Sequence, residues 1–270
     1  MRRNPSLRAR VAAIPPGRLL IFLDYDGTLT PIVRRPQDAR LQAAVRRTLS
    51  RLVRSVPVVI VSGRGLSDLR RRVGVPGVRY VAHHGLVYKE PGSAIRWLGR
   101  RISRKAVRGW ARTLESAAKG MPGALVEDKG LTVALHDRLV RPRDRVRLRR
   151  QALLALAPWL VRGSVTLVRG KRILEVRPAG PWNKGTAVAA VLRRPWARGR
   201  VPVYWGDDRT DFDAFRVIRD RGIAVRVGGG HGLAGKVARV SGPKAVESFL
   251  RWLEARATAG SRYRPYPSGP

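Results

Sequence analysis

The sequence predicts an α/β fold: a core domain built on a Rossmann-like parallel sheet, interrupted by a smaller inserted α+β domain. Three observations favour this fold. Continuous apolar runs of strand length, such as 18–24 and 57–61, alternate with segments of helical periodicity. The alternation stops after residue 88 and resumes near residue 184. Because the stretch between shows a different order of strands and helices, we expect it to fold as a domain of its own.

The core elements follow one another in a regular order. Apolar runs predict strands at 18–24, 57–61 and 78–82, separated by a helix at about 37–54 and a second helix that ends near residue 73. After the insertion the same order returns, with predicted helices at 184–193, 211–219 and 243–256 and strands at 201–205 and 223–227.

The insertion is predicted over residues 89–177. Its elements are a strand at 94–98, a helix at 103–119, a hairpin of 124–127 and 131–136, a basic helix at 143–157, and strands at 164–168 and 172–177. Around it we expect a basic, poorly ordered lead-in at 1–17, a core at 18–88 plus 178–256, and a disordered tail at 257–270.

Composition excludes several classes of site. The 270 residues contain no cysteine, which excludes disulfides, cysteine-based zinc sites, iron–sulfur clusters and a thiol nucleophile. Four histidines without an HExxH motif disfavour a histidine-rich metal site. The longest uncharged apolar stretch, Ala152–Val161, is about half a bilayer span. With no export signal either, we expect a cytoplasmic protein without a membrane partner.

The net charge is extreme: 56 basic minus 18 acidic residues gives +38. Such a charge can indicate a nucleic-acid partner. However, the arginines are spread over most of the chain, and lysine is scarce. A biased composition therefore explains the charge better, and we expect no specific nucleic-acid partner.

The few carboxylates are concentrated in two segments, each directly after a predicted strand. The first contains Asp24 and Asp26; the second contains Asp207, Asp208 and Asp211, followed by Asp213. The carboxyl ends of parallel strands form the ligand crevice of an open α/β sheet. Carboxylates gathered there repel one another unless a cation joins them, and oxygen ligands favour Mg²⁺.

The spacing of Asp24 and Asp26 places both side chains on one side of an extended segment. The Gly27-Thr28 turn that follows offers backbone N–H groups and a hydroxyl to a phosphoryl group. Asp24 is a candidate nucleophile at phosphorus, and Asp26 a candidate acid and base. A turn with helix-capping carboxylates is the alternative.

Two further segments suit phosphate. Ser62-Gly63-Arg64 follows the second strand and precedes a helix, where a hydroxyl and free amides can bind an anion, although an N-cap serine is the alternative. Asn183-Lys184-Gly185 opens another helix, and Lys184 can neutralise both Asp24 and the phosphate that it attacks.

These segments resemble the motifs of haloacid-dehalogenase-type phosphatases: Asp24–Pro31, Ser62–Arg64, Lys184-Gly185 and Gly206–Asp211 occur in the expected order over roughly 19–256. A narrower resemblance is to trehalose-6-phosphate phosphatases. It is carried by Ala82-x-His84-Gly85, by Gly206–Phe215, and by two segments of the insertion, Glu127–Arg138 and Gly170–Pro178.

The resemblance implies a role for each matching residue. Asp24 would be the nucleophile and Asp26 the acid and base, with Ser62 and Lys184 as phosphate ligands. Asp24, the backbone carbonyl of Asp26 and Asp207 would bind Mg²⁺, supported by Asp208 and Asp211. The implied sugar contacts are Glu127, Lys129, Arg138, Lys171 and Glu175. Arg64, in the segment that suits phosphate, is a further expected substrate-binding residue. Acidic and basic side chains of the insertion suit sugar hydroxyls and an anionic substrate, although Glu127 could instead pair with an arginine.

The expected activity is Mg²⁺-dependent hydrolysis of trehalose 6-phosphate through an aspartyl-phosphate. Two alternatives stay open: a related sugar phosphate, such as sucrose phosphate or mannosylglycerate phosphate, and a non-enzymatic nucleic-acid-binding protein. The sequence does not indicate whether a synthase partner exists. One residue departs from the resemblance, because Phe212 stands where the family usually has glutamate.

Overall fold

A computed structural model describes residues 5–33, 35–99, 101–170, 172–229 and 237–259 of the chain. The chain divides into two compact units. The first combines Met1–Leu98 with Trp182–Pro270, and the second is Gly99–Pro181. The second unit is therefore inserted into the sequence of the first.

The first unit contains a sheet of eight strands in the order β12-β11-β10-β1-β2-β3-β4-β5. All pairings from β12 to β3 are parallel, whereas β4 and β5 are antiparallel at one edge. The predicted Rossmann-like parallel sheet is confirmed. The strands are β1 Leu19–Asp24, β2 Val58–Val61, β3 Arg79–Ala82, β4 Val87–Lys89, β5 Arg96–Trp97, β10 Val201–Gly206, β11 Ile223–Val227 and β12 Ala238–Val240.

Helices pack against this sheet through apolar faces. All six residues of β1 are buried, which explains why its run is apolar without alternation. A core cluster joins one side of the sheet, including Phe22 and Tyr204, to Val188 and Phe215 on the helices. The helices of the unit are α1 Leu7–Ala12, α2 Ala43–Leu52, α3 Leu66–Val73, α6 Lys184–Leu192, α7 Phe212–Ile218 and α8 Pro243–Ala259.

The second unit has its own antiparallel sheet and its own core. Four strands in the order β6-β7-β9-β8 pack with two helices around Trp110, Leu148 and Val176. Its elements are α4 Arg104–Ala118, β6 Leu125–Asp128, β7 Val133–His136, α5 Arg145–Val161, β8 Val165–Gly170 and β9 Ile173–Pro178.

The predicted insertion boundaries, 89 and 177, are displaced from those of the second unit. Residues 89–98 were expected in the insertion, but β5 pairs with β4, which pairs with β3. This stretch therefore extends the large sheet, and the second unit begins at Gly99. At the other end the unit runs to Pro181, where Ala179 N–H donates to the Ser164 carbonyl at 3.1 Å.

The predictions for the two termini were partly wrong. The lead-in contains α1, whose Val11 is fully buried, and Arg256 donates to the carbonyls of Ala12 and Ile14. At the other end, α8 continues to Ala259 and buries Ala257, so the first residues of the predicted tail are helical. The remainder of that tail, 260–270, lies outside the described residues. No helix in the described part of the chain is long and apolar enough to cross a membrane.

Candidate active site

The two carboxylate segments meet at one edge of the parallel sheet. β1 and β10 are neighbours with Leu23 level with Trp205, so Asp24 at the end of β1 lies beside the end of β10. Carboxylate oxygens of Asp24, Asp207 and Asp211 all lie within 4.8 Å of one another. The sequence expected Asp24 and Asp207 together, with Asp211 in support, and the structure brings these three carboxylates together.

Lys184 is the cation at the centre of this acidic group. It begins α6, and its Nζ lies 2.9 Å from Asp24 Oδ1 and 2.7 Å from Asp211 Oδ1. The side chain is 3% exposed, so the charge interactions are little screened by water. Burial alone lowers the pKa of Lys184, but Asp211 and Asp24 reverse this effect and raise it, so the ammonium stays charged.

Asp211 is fixed by three donors, two of which the sequence did not indicate. Besides Lys184, the Tyr204 hydroxyl donates to Asp211 Oδ1 at 2.7 Å, and Asp208 N–H donates to Oδ2 at 3.0 Å. Asp211 is completely buried. Its oxygens are therefore largely occupied within the chain, which suits a supporting carboxylate. The sequence did not single out Tyr204, because a tyrosine is common in an apolar strand such as β10.

Two glycines allow the carboxylates to approach the backbone this closely. Gly27 has a φ of +83°, and a Cβ there would lie 2.1 Å from Asp207 Oδ2. A Cβ on Gly206 would lie 2.3 Å from Asp211 Cγ. Thr28 completes the contact, since its hydroxyl donates to Asp207 Oδ1 at 3.2 Å.

The acidic group contains more carboxylates than cations, as expected of a site that binds a cation. Burial raises the pKa of Asp24 well above its ordinary value, and the carboxylates of Asp211 and Asp207 raise it further, against the effect of Lys184. Burial and then Asp211 raise the pKa of Asp207 to about 6. Three carboxylates share one ammonium, so a divalent cation would relieve their repulsion. An all-oxygen donor set of this kind fits Mg²⁺.

Asp26 lies apart from this group and pairs with Arg64. The guanidinium donates from Nε to Asp26 Oδ2 and from Nη2 to Asp26 Oδ1, each at 2.7 Å. It also donates to Asp68 Oδ2 at 3.0 Å and to the Pro36 carbonyl at 2.8 Å. Arg64 was expected to bind substrate, yet four of its five N–H groups are engaged inside the chain.

The chain does turn after Asp26, as the first alternative expected, but neither predicted helix cap is present in the part of the chain that the structure describes. Ser62 is 1% exposed and lies beyond the end of β2, but the N-cap of α3 is Gly65. No helix begins within the described residues around Asp24 and Asp26; instead Asp26 pairs with Thr30 in an isolated bridge. Lys184 does begin a helix, and Asn183 caps it.

The second unit places three of its five predicted substrate residues on or next to β6 and β9, the two strands that flank β7. Glu127 on β6 and Glu175 on β9 are level with Ala134 on the strand between them. Residues in register across antiparallel strands point to the same face, so both carboxylates lie on one face with only a methyl group between. Their backbones are two strand spacings, about 10 Å, apart. Lys129 Nζ lies 3.3 Å from Glu175 Oε1.

Other side chains hold these two glutamates in place. Glu175 is 3% exposed and also accepts hydrogen bonds from Thr132 and Arg177, both at 3.0 Å. Glu127 Oε2 lies 2.9 Å from His136 Nε2. Arg138 lies past the end of β7, where its carbonyl accepts from Arg145. Lys171, the remaining predicted substrate residue, lies outside the described residues.

The parallel sheet, with its carboxylates and lysine at the strand ends, defines an α/β fold of the haloacid-dehalogenase type. The comparisons with known proteins narrow the class. The family model described as trehalose-phosphatase matches residues 22–250. The chain therefore belongs to the trehalose-phosphatase family, whose named members are phosphatases.

Individual relatives agree with this assignment. The chain is similar to trehalose 6-phosphate phosphatase RA3 of Zea mays, at 30% identity over 94% of the chain and 75% of the relative. It is 36% identical to the trehalose-phosphate phosphatase of Mycobacterium avium over 74% of the chain and 51% of the relative. It thus spans about half to three quarters of these curated relatives. A solved structure of a trehalose-6-phosphate phosphatase related protein matches with a TM-score of 0.76 and 28% identity, covering 90% of this chain and 100% of that one.

Proposed function

We propose that the chain hydrolyses trehalose 6-phosphate to trehalose and phosphate through an aspartyl-phosphate, with Mg²⁺ bound. The observation that carries this proposal is the contact of Lys184 with both Asp24 and Asp211, beside Asp207. A buried ammonium among carboxylates at strand ends suits a phosphoryl group, because phosphoryl transfer is accelerated mainly by positioning and charge. Family membership supports the choice of substrate.

Asp24 is the proposed nucleophile. Its carboxylate oxygen forms a bond to phosphorus while the bond from phosphorus to the sugar oxygen breaks. Asp26 gives a proton to that leaving oxygen; because both of its oxygens accept from Arg64 in this structure, one of these hydrogen bonds must open first. Water then attacks the aspartyl-phosphate, Asp26 takes a proton from the water, and inorganic phosphate leaves as the bond to Asp24 breaks.

The phosphoryl oxygens need partners during both steps. Lys184 and Ser62 are the proposed ligands, since both lie at the ends of core elements on the carboxylate edge. Mg²⁺ would be held by Asp24, Asp207 and the Asp26 carbonyl, with Asp208 and Asp211 in support. When bound, it supplies positive charge that polarises the phosphoryl group.

The acidic and basic residues of the second unit are proposed to recognise the sugar. Glu127 and Glu175 can accept hydrogen bonds from neighbouring hydroxyls, and Lys129 can donate to sugar oxygens. Arg138 and Lys171 remain proposed substrate contacts on the basis of the family motif. Holding the glutamates by His136, Thr132 and Arg177 would orient them before substrate arrives.

The test is phosphate release from a panel of sugar phosphates by the purified chain, with Mg²⁺ and with excess EDTA. The panel contains trehalose 6-phosphate, sucrose phosphate, mannosylglycerate phosphate and glucose 6-phosphate. We expect the highest kcat/KM for trehalose 6-phosphate and its loss in EDTA. A preference for another sugar would reassign the substrate while keeping the chemistry. No release from any of them, together with tight nucleic-acid binding at physiological salt, would favour the non-enzymatic alternative.

A further inference from the structure

Two consecutive histidines after β3 adopt a backbone conformation that L-residues rarely use. His83 has a φ of 51° and His84 a φ of 57°, and Gly85 follows at 109°. Among the described residues only Arg172 shares a positive φ without being glycine. A left-handed backbone is unfavourable for residues with a Cβ, and strained residues of this kind concentrate at functional sites.

The strained turn is hydrogen-bonded to both ends of the Ser62–Arg64 segment. His84 N–H donates to the Ser62 carbonyl at 3.0 Å, and His83 N–H donates to the Arg64 carbonyl at 2.9 Å. The His83 ring also accepts a hydrogen bond from Leu66 N–H at 3.4 Å. Two successive N–H groups of the left-handed turn thus donate to one short segment.

The same turn also lies against the start of α6. A Cβ on Gly85 would lie 2.4 Å from the carbonyl oxygen of Asn183, and Asn183 directly precedes Lys184. On its other side, a Cβ on Gly63 would lie 2.0 Å from His84 Nε2, so the imidazole covers Gly63. The turn therefore fills the space between the segments that contain Ser62 and Lys184.

We infer that the His83–Gly85 turn is a positioning device that sets the separation of Ser62 and Lys184, and that His84 is its key positioning residue. The inference rests on the proposed function, in which these two side chains bind phosphate. The His84 ring holds the Ser62–Arg64 segment from one side, while Gly85 contacts the start of α6. Removing the ring lets the segment shift and weakens the grip on phosphate, without touching the carboxylates that bind the cation.

The test measures binding of inorganic phosphate and of Mg²⁺ separately, by isothermal titration of the full chain. His84→Asn is the main variant, because asparagine tolerates the left-handed backbone and removes the ring. We expect its dissociation constant for phosphate, measured with saturating Mg²⁺, to rise about tenfold, and that for Mg²⁺ to change less than twofold. The control is Arg172→Asn, which also places asparagine at a left-handed position but in the second unit. It should change neither constant.

A second pair of variants tests the contact itself and does not depend on the stability of His84→Asn. Gly63→Ala puts a methyl group where the His84 ring lies, so we expect it to weaken phosphate binding strongly. His84→Gly removes the ring and should reduce the effect of Gly63→Ala several-fold. Unchanged phosphate binding in His84→Asn, or an equal effect of Gly63→Ala with and without the ring, would contradict the inference. Failure of the proposed function would look different: the wild type would release no phosphate from any sugar phosphate.

Discussion

Arg64 holds both carboxylate oxygens of Asp26, through hydrogen bonds of 2.7 Å from Nε and from Nη2. The Arg64 side chain is 8% exposed and the Asp26 side chain is 42% exposed, so a buried guanidinium forms a salt bridge with an accessible carboxylate. Arg64 Nη1 also lies 3.0 Å from Asp68 Oδ2, a second salt bridge that holds the guanidinium in place. Arg64 is therefore placed to orient Asp26, and only one of its five N–H groups is not engaged with the described residues.

Replacing Arg64 by lysine tests this role. Lysine cannot form the two-pronged contact, so Asp26 would lose its orientation, and we expect kcat for trehalose 6-phosphate to fall about 10–100-fold. A good leaving group needs less help from an acid, so the loss should be much smaller with p-nitrophenyl phosphate. Steady-state kinetics with both substrates measure the difference. Arg71→Lys is the control, since Arg71 also pairs with Asp68 but is 73% exposed. A raised KM with unchanged kcat would instead support a direct substrate contact.

Asp207 should make the stability of the metal-free protein depend on pH. Its pKa is raised from 3.8 to about 6 on folding, so the folded chain keeps a proton there that the unfolded chain releases. Stability therefore falls as pH rises from about 4 to 6, by up to about 3 kcal/mol from this group. Asp207→Asn removes the effect. We expect the wild type to lose melting temperature relative to this variant over that range.

Mg²⁺ should reverse the loss, because a bound cation would compensate the carboxylate charge that appears when Asp207 loses its proton. Thermal melts of both proteins at pH 4, 5, 6 and 7, with and without Mg²⁺, give the comparison. At pH 7 Mg²⁺ should stabilise the wild type more than Asp207→Asn. A difference between the two proteins that does not vary with pH would refute the raised pKa.

Phe212, which departs from the usual glutamate, lies against a buried arginine that has two nitrogens without hydrogen bonds among the described residues. Its ring lies 5.2 Å from the guanidinium carbon of Arg226, which is 7% exposed. Nε and Nη1 of Arg226 make no hydrogen bond within the described part of the chain. Buried nitrogens without hydrogen bonds are costly, so Arg226→Met should raise the free energy of unfolding by about 1–3 kcal/mol. Urea titration measures it, with the exposed Arg251→Met as the control. A large loss of stability would mean that the stacking on Phe212 outweighs the cost of the two nitrogens without hydrogen bonds.

The glutamates of the second unit should matter for the sugar and not for the phosphoryl group. We expect Glu127→Ala and Glu175→Ala to reduce kcat/KM for trehalose 6-phosphate at least tenfold more than for p-nitrophenyl phosphate, because binding energy from remote parts of a substrate assists the reaction. Glu115→Ala, an exposed position on α4, is the control. Equal losses on both substrates would show that the glutamates only stabilise the second unit, where Glu175 is buried among Thr132, Lys129 and Arg177.

The sequence allowed prediction where one local rule was sufficient. Apolar runs followed by carboxylates placed Asp24 and Asp207 at strand ends, and the parallel sheet then brought them together. Partners that are distant in sequence were not predictable: the contact between Asp26 and Arg64 joins residues 38 apart, and Tyr204 had no local sign of its hydrogen bond to Asp211.

Short elements were also missed, because their stability comes from tertiary contacts. β4 has three residues, too few for a periodic pattern, and depends on pairing with the edge of the large sheet. β5 lies within the strand predicted at 94–98, but its pairing with β4 had no sign in the sequence, so it was assigned to the insertion. α1 has a single buried residue, Val11, so its sequence looked like a basic lead-in. The left-handed backbone of His83 and His84 has no sequence sign comparable to glycine.

The most direct test of the account is transfer of phosphate to Asp24. The purified chain is mixed with ³²P-labelled trehalose 6-phosphate and Mg²⁺, quenched in acid within one turnover, and digested to find the labelled peptide. We expect label on the peptide that contains Asp24, and neither label nor phosphate release from Asp24→Asn, with a melting temperature close to that of the wild type. A folded Asp24→Asn protein that still releases phosphate within tenfold of the wild-type rate would contradict the proposed mechanism.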